Sequence, residues 1–191
     1  MDSIRKVVRF VAIANLSYFC VEFFFAQKIG SVSLFADSID FLEDASTNIL
    51  IFIAIGWSLA ARARLSKFLA LLLLVPAISV VIGTIYKINN PSAPDAISLT
   101  AVGFGALVVN SVCALLLVKF RSAKQSLVLA AYLSARNDAL ANIAIIIAGV
   151  VTMFWVSAIP DLVVGVSIGF LNADAALKVW KSSNINSTKP A

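Results

Sequence analysis

The amino-acid sequence predicts an all-α, polytopic membrane protein with six transmembrane helices. The chain of 191 residues is 61% hydrophobic and only 13% charged, and its mean hydropathy is +0.98. Soluble domains are roughly 45–50% apolar and about 25% charged. A helix needs about 20 apolar residues to cross the hydrocarbon of a bilayer. Stretches of this kind predict helices over residues 7–28, 33–60, 67–88, 96–118, 126–153 and 158–178.

The basic residues of the loops predict how these helices are oriented. Of the fifteen Lys and Arg residues, twelve belong to the N-terminus, the 2–3 loop, the 4–5 loop and the C-terminus, whereas only Lys28 and Lys87 lie on the opposite side. Cytoplasmic loops are enriched in Lys and Arg, so we expect both termini in the cytoplasm. The basic residues form no continuous stripe, which argues against a nucleic-acid partner. We expect one transmembrane domain over residues 1–180 and a short cytoplasmic tail over 181–191.

Two of the apolar stretches carry the same polar pattern, Asp-Ala-x-x-Asn. It runs from Asp44 to Asn48 in the second predicted helix and, 94 residues later, from Asp138 to Asn142 in the fifth. Because each half of the chain holds three helices, the second and fifth helices run in opposite directions. The pattern therefore predicts inverted three-helix repeats. Transporters built from such repeats hold their binding site near the bilayer midplane.

Carboxylates inside transmembrane helices indicate function because charges are costly in hydrocarbon. Residues spaced by four share one face of a helix. This spacing gives two polar faces, which consist of Asp40, Asp44 and Asn48 in the second helix and of Ser134, Asp138 and Asn142 in the fifth. Carboxylates that meet in a low dielectric are stable when they bind protons or a divalent cation. These two exchangeable states predict proton-coupled cation transport, with oxygen ligands because the chain has no histidine.

The first two helices read VAIANLSYFCVEFFFAQKIGSVSLFADSIDFLEDASTN, and the sixth begins IPDLVVGVSIGFLNADAALKV. The Val-Glu pair of the first helix, and the Ala-Asp that leads into Asp40-x-x-x-Asp44, resemble motifs of the cation diffusion facilitator family. The resemblance implies that Asp40 and Asp44 bind the metal together with Asp138. It also implies a homodimer in the lipid bilayer that exports Zn²⁺ or a similar divalent ion from the cytoplasm in exchange for protons. It implies no cofactor and no enzymatic activity.

Ser134 departs from the family pattern, which commonly has His or Asp at this position. Asn142, Asn137, Asn48 or a water molecule could supply the missing ligand. Zn²⁺ favours nitrogen and sulfur ligands, whereas an oxygen-only site also suits ions such as Mn²⁺. We expect Zn²⁺ first, with Mn²⁺, Co²⁺, Cd²⁺ and Fe²⁺ as alternatives. The chain also lacks the cytoplasmic C-terminal domain typical of the family, so the resemblance implies a transmembrane-only member.

Four further polar residues are candidates for roles around the site. Glu22 of the first helix could relay protons, and Glu43 could border the metal or pair with a cation. An unpaired guanidinium is costly inside a membrane. We therefore predict that Arg136 forms an ion pair with Asp174 of the sixth helix or with Glu43.

Three other features predict local structure. Asp37 could guide ions at the outer mouth or cap the start of a helix, and Asp161 is expected at the start of the sixth helix. The Gly165-x-x-x-Gly169 pattern predicts close helix packing, within one chain or at a dimer interface. Cys20 and Cys113 both fall in apolar stretches, which argues against a disulfide framework.

Two alternative functions remain open at the level of sequence. The first is a membrane-embedded, Mg²⁺-dependent enzyme that acts on a lipid phosphate, and the second is a non-transport membrane partner protein. Acidic residues at mid-depth, with Arg136 as the single nearby base, favour the transporter over the enzyme. We expect a multi-pass protein of the cell membrane, specifically a bacterial inner membrane.

Overall fold

The computed structural model of the protein describes residues 2–54, 78, 80–119 and 126–171. These residues contain six helices and no strand, so the predicted all-α fold class is confirmed. The helices are α1 (Asp2–Ile29), α2 (Val32–Ala54), α3 (Val80–Asn89), α4 (Ala96–Val118), α5 (Ser126–Phe154) and α6 (Ile159–Leu171). Three of them contain a segment long and apolar enough to cross a membrane, and these segments are Ile4–Ile29, Ala96–Val118 and Ala131–Phe154. The protein is a polytopic membrane protein.

The packing of the helices brings α2 beside α5. Helix α1 packs along α2, and α4 packs along α5. The two pairs meet through contacts of α1 with α4 and of α2 with α5. These four helix pairs map onto one another when α1 is exchanged with α4 and α2 with α5, which is the exchange that the sequence repeat predicts. Within the described part of the chain, a smaller contact between α2 and α4 has no counterpart between α1 and α5. As a result, the polar stretches of α2 and α5 lie side by side.

Two apolar clusters lie toward the two ends of the bundle. One includes the fully buried Leu34, Leu99 and Ile145. The other includes Val11 of α1 and Leu117 of α4. Along α1, α4 and α5 the polar residues lie between these clusters. Apolar packing therefore covers both ends of a polar interior.

A tight turn joins α1 to α2. Gly30 has a φ of +63°, a left-handed conformation that glycine adopts without strain. The N–H of Ser31 donates to the carbonyl of Ala26 at 3.0 Å, which ends α1 in the manner of a Schellman motif. From α3, the ammonium of Lys87 donates to the carbonyl of Gly30. The turn is thus held by its own backbone and by a side chain of α3.

Asp161 caps the N-terminus of α2 from the neighbouring helix α6. Its carboxylate accepts hydrogen bonds from the N–H groups of Val32 at 2.8 Å and Ser33 at 3.1 Å, and from the hydroxyls of Ser31 and Ser33 at 2.6 Å. A negative charge at a helix N-terminus satisfies free N–H groups and complements the helix dipole. Asp161 is near the start of α6, as expected, but the N-terminus that it caps belongs to α2.

The glycine pattern of α6 provides the close contact that this cap needs. A methyl group at Gly165 would lie 2.7 Å from backbone atoms of Val32 and Ser33. One at Gly169 would lie 3.3 Å from the Val80 side chain of α3. The predicted close packing therefore occurs within the chain, where α6 rests on the first turn of α2.

Candidate metal and proton site

Seven acid and amide side chains of α1, α2, α4 and α5 are buried inside the bundle, each at most 4% exposed. They come from four helices and comprise Asn15 and Glu22 of α1, Asp37, Asp44 and Asn48 of α2, Asn110 of α4 and Asn142 of α5. A buried polar group is costly unless a hydrogen bond or a bound ion compensates for the lost water. The partners of these side chains therefore define what the interior can bind.

Asp44 and Asp138 lie on the facing sides of α2 and α5. The Ser134 hydroxyl is close to both carboxylates. The amide nitrogen of Asn15 donates to Asp44 Oδ2 across 3.5 Å, a long contact from α1. The two predicted polar faces thus meet in the structure, and Ser134 lies between their acids.

Asp40 is half-buried one turn before Asp44. Its carboxylate is within electrostatic range of Asp138, Asp37, Glu43 and Asp44. Among the described residues, no three acidic or cysteine side chains already surround one point closely enough to hold a metal ion. Asp40, Asp44 and Asp138 are neighbours, but their carboxylates are not gathered around one point.

Asn142 is engaged away from Asp44 and Asp138. Its amide nitrogen donates to Asp37 Oδ2, and its Oδ1 accepts a hydrogen bond from Asn110 Nδ2 at 3.0 Å. Both ends of the amide are therefore used. In this conformation Asn142 is not available as the fourth ligand in place of the His or Asp that Ser134 replaces.

The other candidates for a fourth ligand differ in their availability. Asn48 donates from Nδ2 to the carbonyl of Asp44 at 2.8 Å, which leaves its buried Oδ1 without a partner among the described residues. Asn137 is exposed and accepts a hydrogen bond from Arg136. Ser134, by contrast, lies next to both Asp44 and Asp138.

Arg136 is exposed on α5, and its Nη2 donates to Asn137 Oδ1 at 3.3 Å. Between these described residues the predicted ion pair with Glu43 does not form, and the exposed guanidinium donates to Asn137 instead. The alternative partner, Asp174, lies outside the described residues. Glu43 itself is half-buried beside the acids of α2.

Asp37 is a site residue that the sequence reasoning missed. The sequence left it open between a cap and a guide for ions at the outer mouth, whereas it lies within α2, is fully buried, and accepts a hydrogen bond from α5 through Asn142. Its spacing of three from Asp40 and seven from Asp44 is the helical signal that would have placed it on the same face. Glu22 of α1 faces Asp37 at hydrogen-bonding range.

Acid and amide side chains inside a bundle of apolar helices are typical of membrane proteins that bind and transport cations. The chain belongs to the cation efflux family, because residues 8–184 match the cation efflux transmembrane domain. The resemblance noted in the sequence is thereby confirmed. The comparison with curated proteins gave no match.

Membership of this family decides between the functions left open by the sequence. Its members are transporters of metal cations and not enzymes. The protein is therefore a metal cation efflux transporter, and neither a lipid-phosphate enzyme nor a non-transport partner protein.

Proposed function

We propose that the protein exchanges a divalent metal ion for protons and exports Zn²⁺, or a similar ion such as Mn²⁺, Co²⁺, Cd²⁺ or Fe²⁺, from the cytoplasm. Asp40, Asp44 and Asp138 would bind the metal. The observation that carries the proposal is the meeting of Asp44 and Asp138 across α2 and α5, with Ser134 beside both.

The charge balance of this cluster supports exchange with protons. Among the described residues, no Lys or Arg side chain pairs with Asp40, Asp44 or Asp138. Adjacent carboxylates in a low dielectric repel one another, so the empty cluster is stabilised by bound protons. A divalent cation provides the same neutralisation and displaces those protons. Metal binding and proton binding are then competing states of one site.

The ligand chemistry supports a hard or borderline divalent ion. The cluster offers oxygen ligands, namely the carboxylates of Asp40, Asp44 and Asp138 and the hydroxyl of Ser134. Asn48 Oδ1 is a further buried oxygen, without a partner among the described residues. Mn²⁺ and Mg²⁺ accept such ligands readily, while Zn²⁺ also binds carboxylates at about 2.0–2.2 Å. The family resemblance gives Zn²⁺ first place.

The proposed setting is a homodimer in the cell membrane, specifically a bacterial inner membrane, with both termini in the cytoplasm. The loop charges support the orientation. Large apolar side chains on the outer faces of α1, α4 and α6, such as Phe24, Leu115 and Phe170, support contact with lipid or a second copy.

Transport by purified protein in liposomes tests the proposal. The liposomes enclose a metal-sensitive dye, and a pH gradient is imposed across them. We expect wild-type protein to move Zn²⁺ in response to the gradient. Asp44→Ala and Asp138→Ala each remove a carboxylate from the cluster and should reduce the flux to that of protein-free liposomes.

Asp95→Asn is the matched control, because Asp95 is an exposed carboxylate before α4. It should transport like the wild type. Equal flux from the wild type, Asp44→Ala and Asp138→Ala would contradict the proposed site. The same assay with Mn²⁺, Co²⁺, Cd²⁺ and Fe²⁺ ranks the ions.

A further inference from the structure

A second pair of carboxylates lies apart from the proposed metal cluster. Glu22 on α1 and Asp37 on α2 are both fully buried. Their carboxyl groups face each other at hydrogen-bonding range. Both oxygens of Glu22 and Oδ1 of Asp37 nevertheless have no donor among the described residues. Two carboxylates, both hydrogen-bond acceptors, thus face each other without a donor between them among the described residues.

One bound proton supplies the missing donor, and no other group is needed. One proton converts two repelling acceptors into a short O–H···O⁻ hydrogen bond of about 2.5–2.7 Å. It also halves the charge that the buried pair must carry. Neighbouring carboxylates of this kind gain and lose protons as a unit.

A metal ion fits the same pair poorly. Structural and transported divalent ions need about four to six ligands. Here the amide nitrogen of Asn142 points its hydrogens at Asp37 Oδ2, and the Tyr18 hydroxyl donates elsewhere, to the carbonyl of Val102 at 2.6 Å. These groups leave two carboxylates as the available ligands. Among the described residues, no Lys or Arg side chain contacts either of them.

The pair is well placed to sense the charge of the metal cluster. Asp37 lies one turn before Asp40 on α2, and Asn142, which binds Asp37, lies one turn after Asp138 on α5. The titratable groups that face the pair are Tyr18 on α1, Asp40 and Asp44 on α2, and Asp138 on α5. On α4 the neighbouring group is the neutral Asn110.

We propose that Glu22 and Asp37 form a separate proton-binding site, whose shared proton is released when the metal binds and is taken up when the metal leaves. The proposal rests on the proposed function for the identity of the metal cluster. With the proton present, the charge next to Asp40 is less negative and the cation is held less firmly. Linkage is reciprocal, so metal binding weakens proton binding at the pair by the same factor.

Proton release on metal binding tests this linkage. Glu22→Gln and Asp37→Asn each keep the shape of the side chain and provide a permanent donor to the remaining carboxylate. The protons released per bound Zn²⁺ are measured by calorimetry of purified protein in buffers of different ionisation enthalpy. Each variant should still bind Zn²⁺ but release fewer protons, by the one proton that the pair shares.

The control for this measurement is Asp95→Asn, which should release as many protons as the wild type. Unchanged proton release in both Glu22→Gln and Asp37→Asn would overturn the proposal. This readout is independent of transport. Failure of the proposed function would instead appear as Zn²⁺ binding that is the same in the wild type, Asp44→Ala and Asp138→Ala.

A second measurement leaves both members of the pair unaltered. The chain has only two glutamates, Glu22 and Glu43. In Glu43→Gln protein labelled with ¹³C-glutamate, the shifted infrared carbonyl band reports Glu22 alone. We expect a protonated carboxyl band that disappears as the pH rises and as Zn²⁺ is added. A Glu22 band that responds to neither would overturn the proposal, even if the pair variants failed to fold.

Discussion

At the scale of single residues, asparagine is the common partner of the buried acids. Asn15 donates to Asp44, Asn142 donates to Asp37, and Asn110 in turn donates to Asn142. An amide provides donors to a carboxylate without adding a positive charge. A lysine or arginine in the same place would neutralise the acid and compete with a cation. The amides therefore hold the carboxylates in position while leaving them able to bind cations.

Outside the site, Asp161 holds the N-terminus of α2 through four hydrogen bonds. Replacing it by Asn keeps the size of the side chain but removes the charge that four donors of the α2 N-terminus share. We expect Asp161→Asn to lower the free energy of unfolding by about 1.5–3 kcal/mol, since hydrogen bonds to charged groups contribute this much. The apparent melting temperature of the purified protein measures the effect.

Asp95→Asn gives the comparison for this prediction. Asp95 caps α4 in solvent through one backbone N–H, that of Ser98 at 2.9 Å. The hydroxyl and the backbone N–H of Ser98 lower the pKa of the Asp95 carboxyl by hydrogen bonding. Because the cap is exposed, its loss should shift the melting temperature less. Equal shifts in the two variants would show that the buried cap of α2 has no special role.

Sequence alone could indicate Asp44 and Asp138 as candidate site residues because their spacing is a property of one helix at a time. The partners of Asn142 and Asp161 were not predictable in the same way, since each reaches a helix distant in the chain. Asn142 was the first candidate for a missing ligand, yet Asn110 and Asp37 occupy both ends of its amide. Which neighbour an amide faces depends on tertiary packing, so the spacing of residues along one helix cannot predict that neighbour.

At the scale of helices, hydropathy locates the membrane more directly than it locates helix ends. Helix α1 begins at Asp2, several residues before the apolar stretch 7–28. A helix continues as long as its backbone hydrogen bonds are satisfied, whether or not its residues are apolar. The all-α class follows from apolar length, whereas the turn at Gly30 and the cap by Asp161 depend on contacts with α3 and α6.

Helix α6 provides a direct test of close packing at the start of α2. In Gly165→Ala the added methyl group would meet backbone atoms at 2.7 Å, so α6 must move away from α2. Overpacking of this kind typically destabilises a protein by about 1–3 kcal/mol. We expect a lower apparent melting temperature for Gly165→Ala.

Gly83→Ala is the matched control on α3, where an added methyl group meets nothing within 4 Å. Alanine favours a helix over glycine by roughly 0.5–1 kcal/mol. This variant should be unchanged or slightly more stable. A melting temperature of Gly165→Ala at or above that of Gly83→Ala would refute the contact between α6 and α2.

At the scale of the whole molecule, the acids and amides lie in the interior of the bundle and the large apolar side chains lie on its outer faces. The outer faces of the described helices carry large exposed apolar side chains, among them Phe10, Leu115 and Leu140. The interior holds the acids and amides. This arrangement suits lipid as the surrounding solvent, and it makes the direction of insertion depend on the loops.

Cysteine labelling tests the orientation that the loop charges predict. In a chain with Cys20 and Cys113 replaced by alanine, Ser92→Cys is placed after α3 and Ser122→Cys in the 4–5 loop that the sequence predicts. A membrane-impermeant maleimide should label Ser92→Cys in intact cells and Ser122→Cys only after permeabilisation. The reverse pattern would place the termini outside.

The corner between α1 and α2 has a consequence for movement. Lys87 of α3 binds the carbonyl of Gly30, and Asp161 of α6 binds the first turn of α2. Helices α2, α3 and α6 are therefore connected by hydrogen bonds at one corner. A transporter must open its interior to each side of the membrane in turn. Here the end of α2 can tilt only if α3 and α6 travel with it, or if these buried hydrogen bonds break and re-form in every cycle.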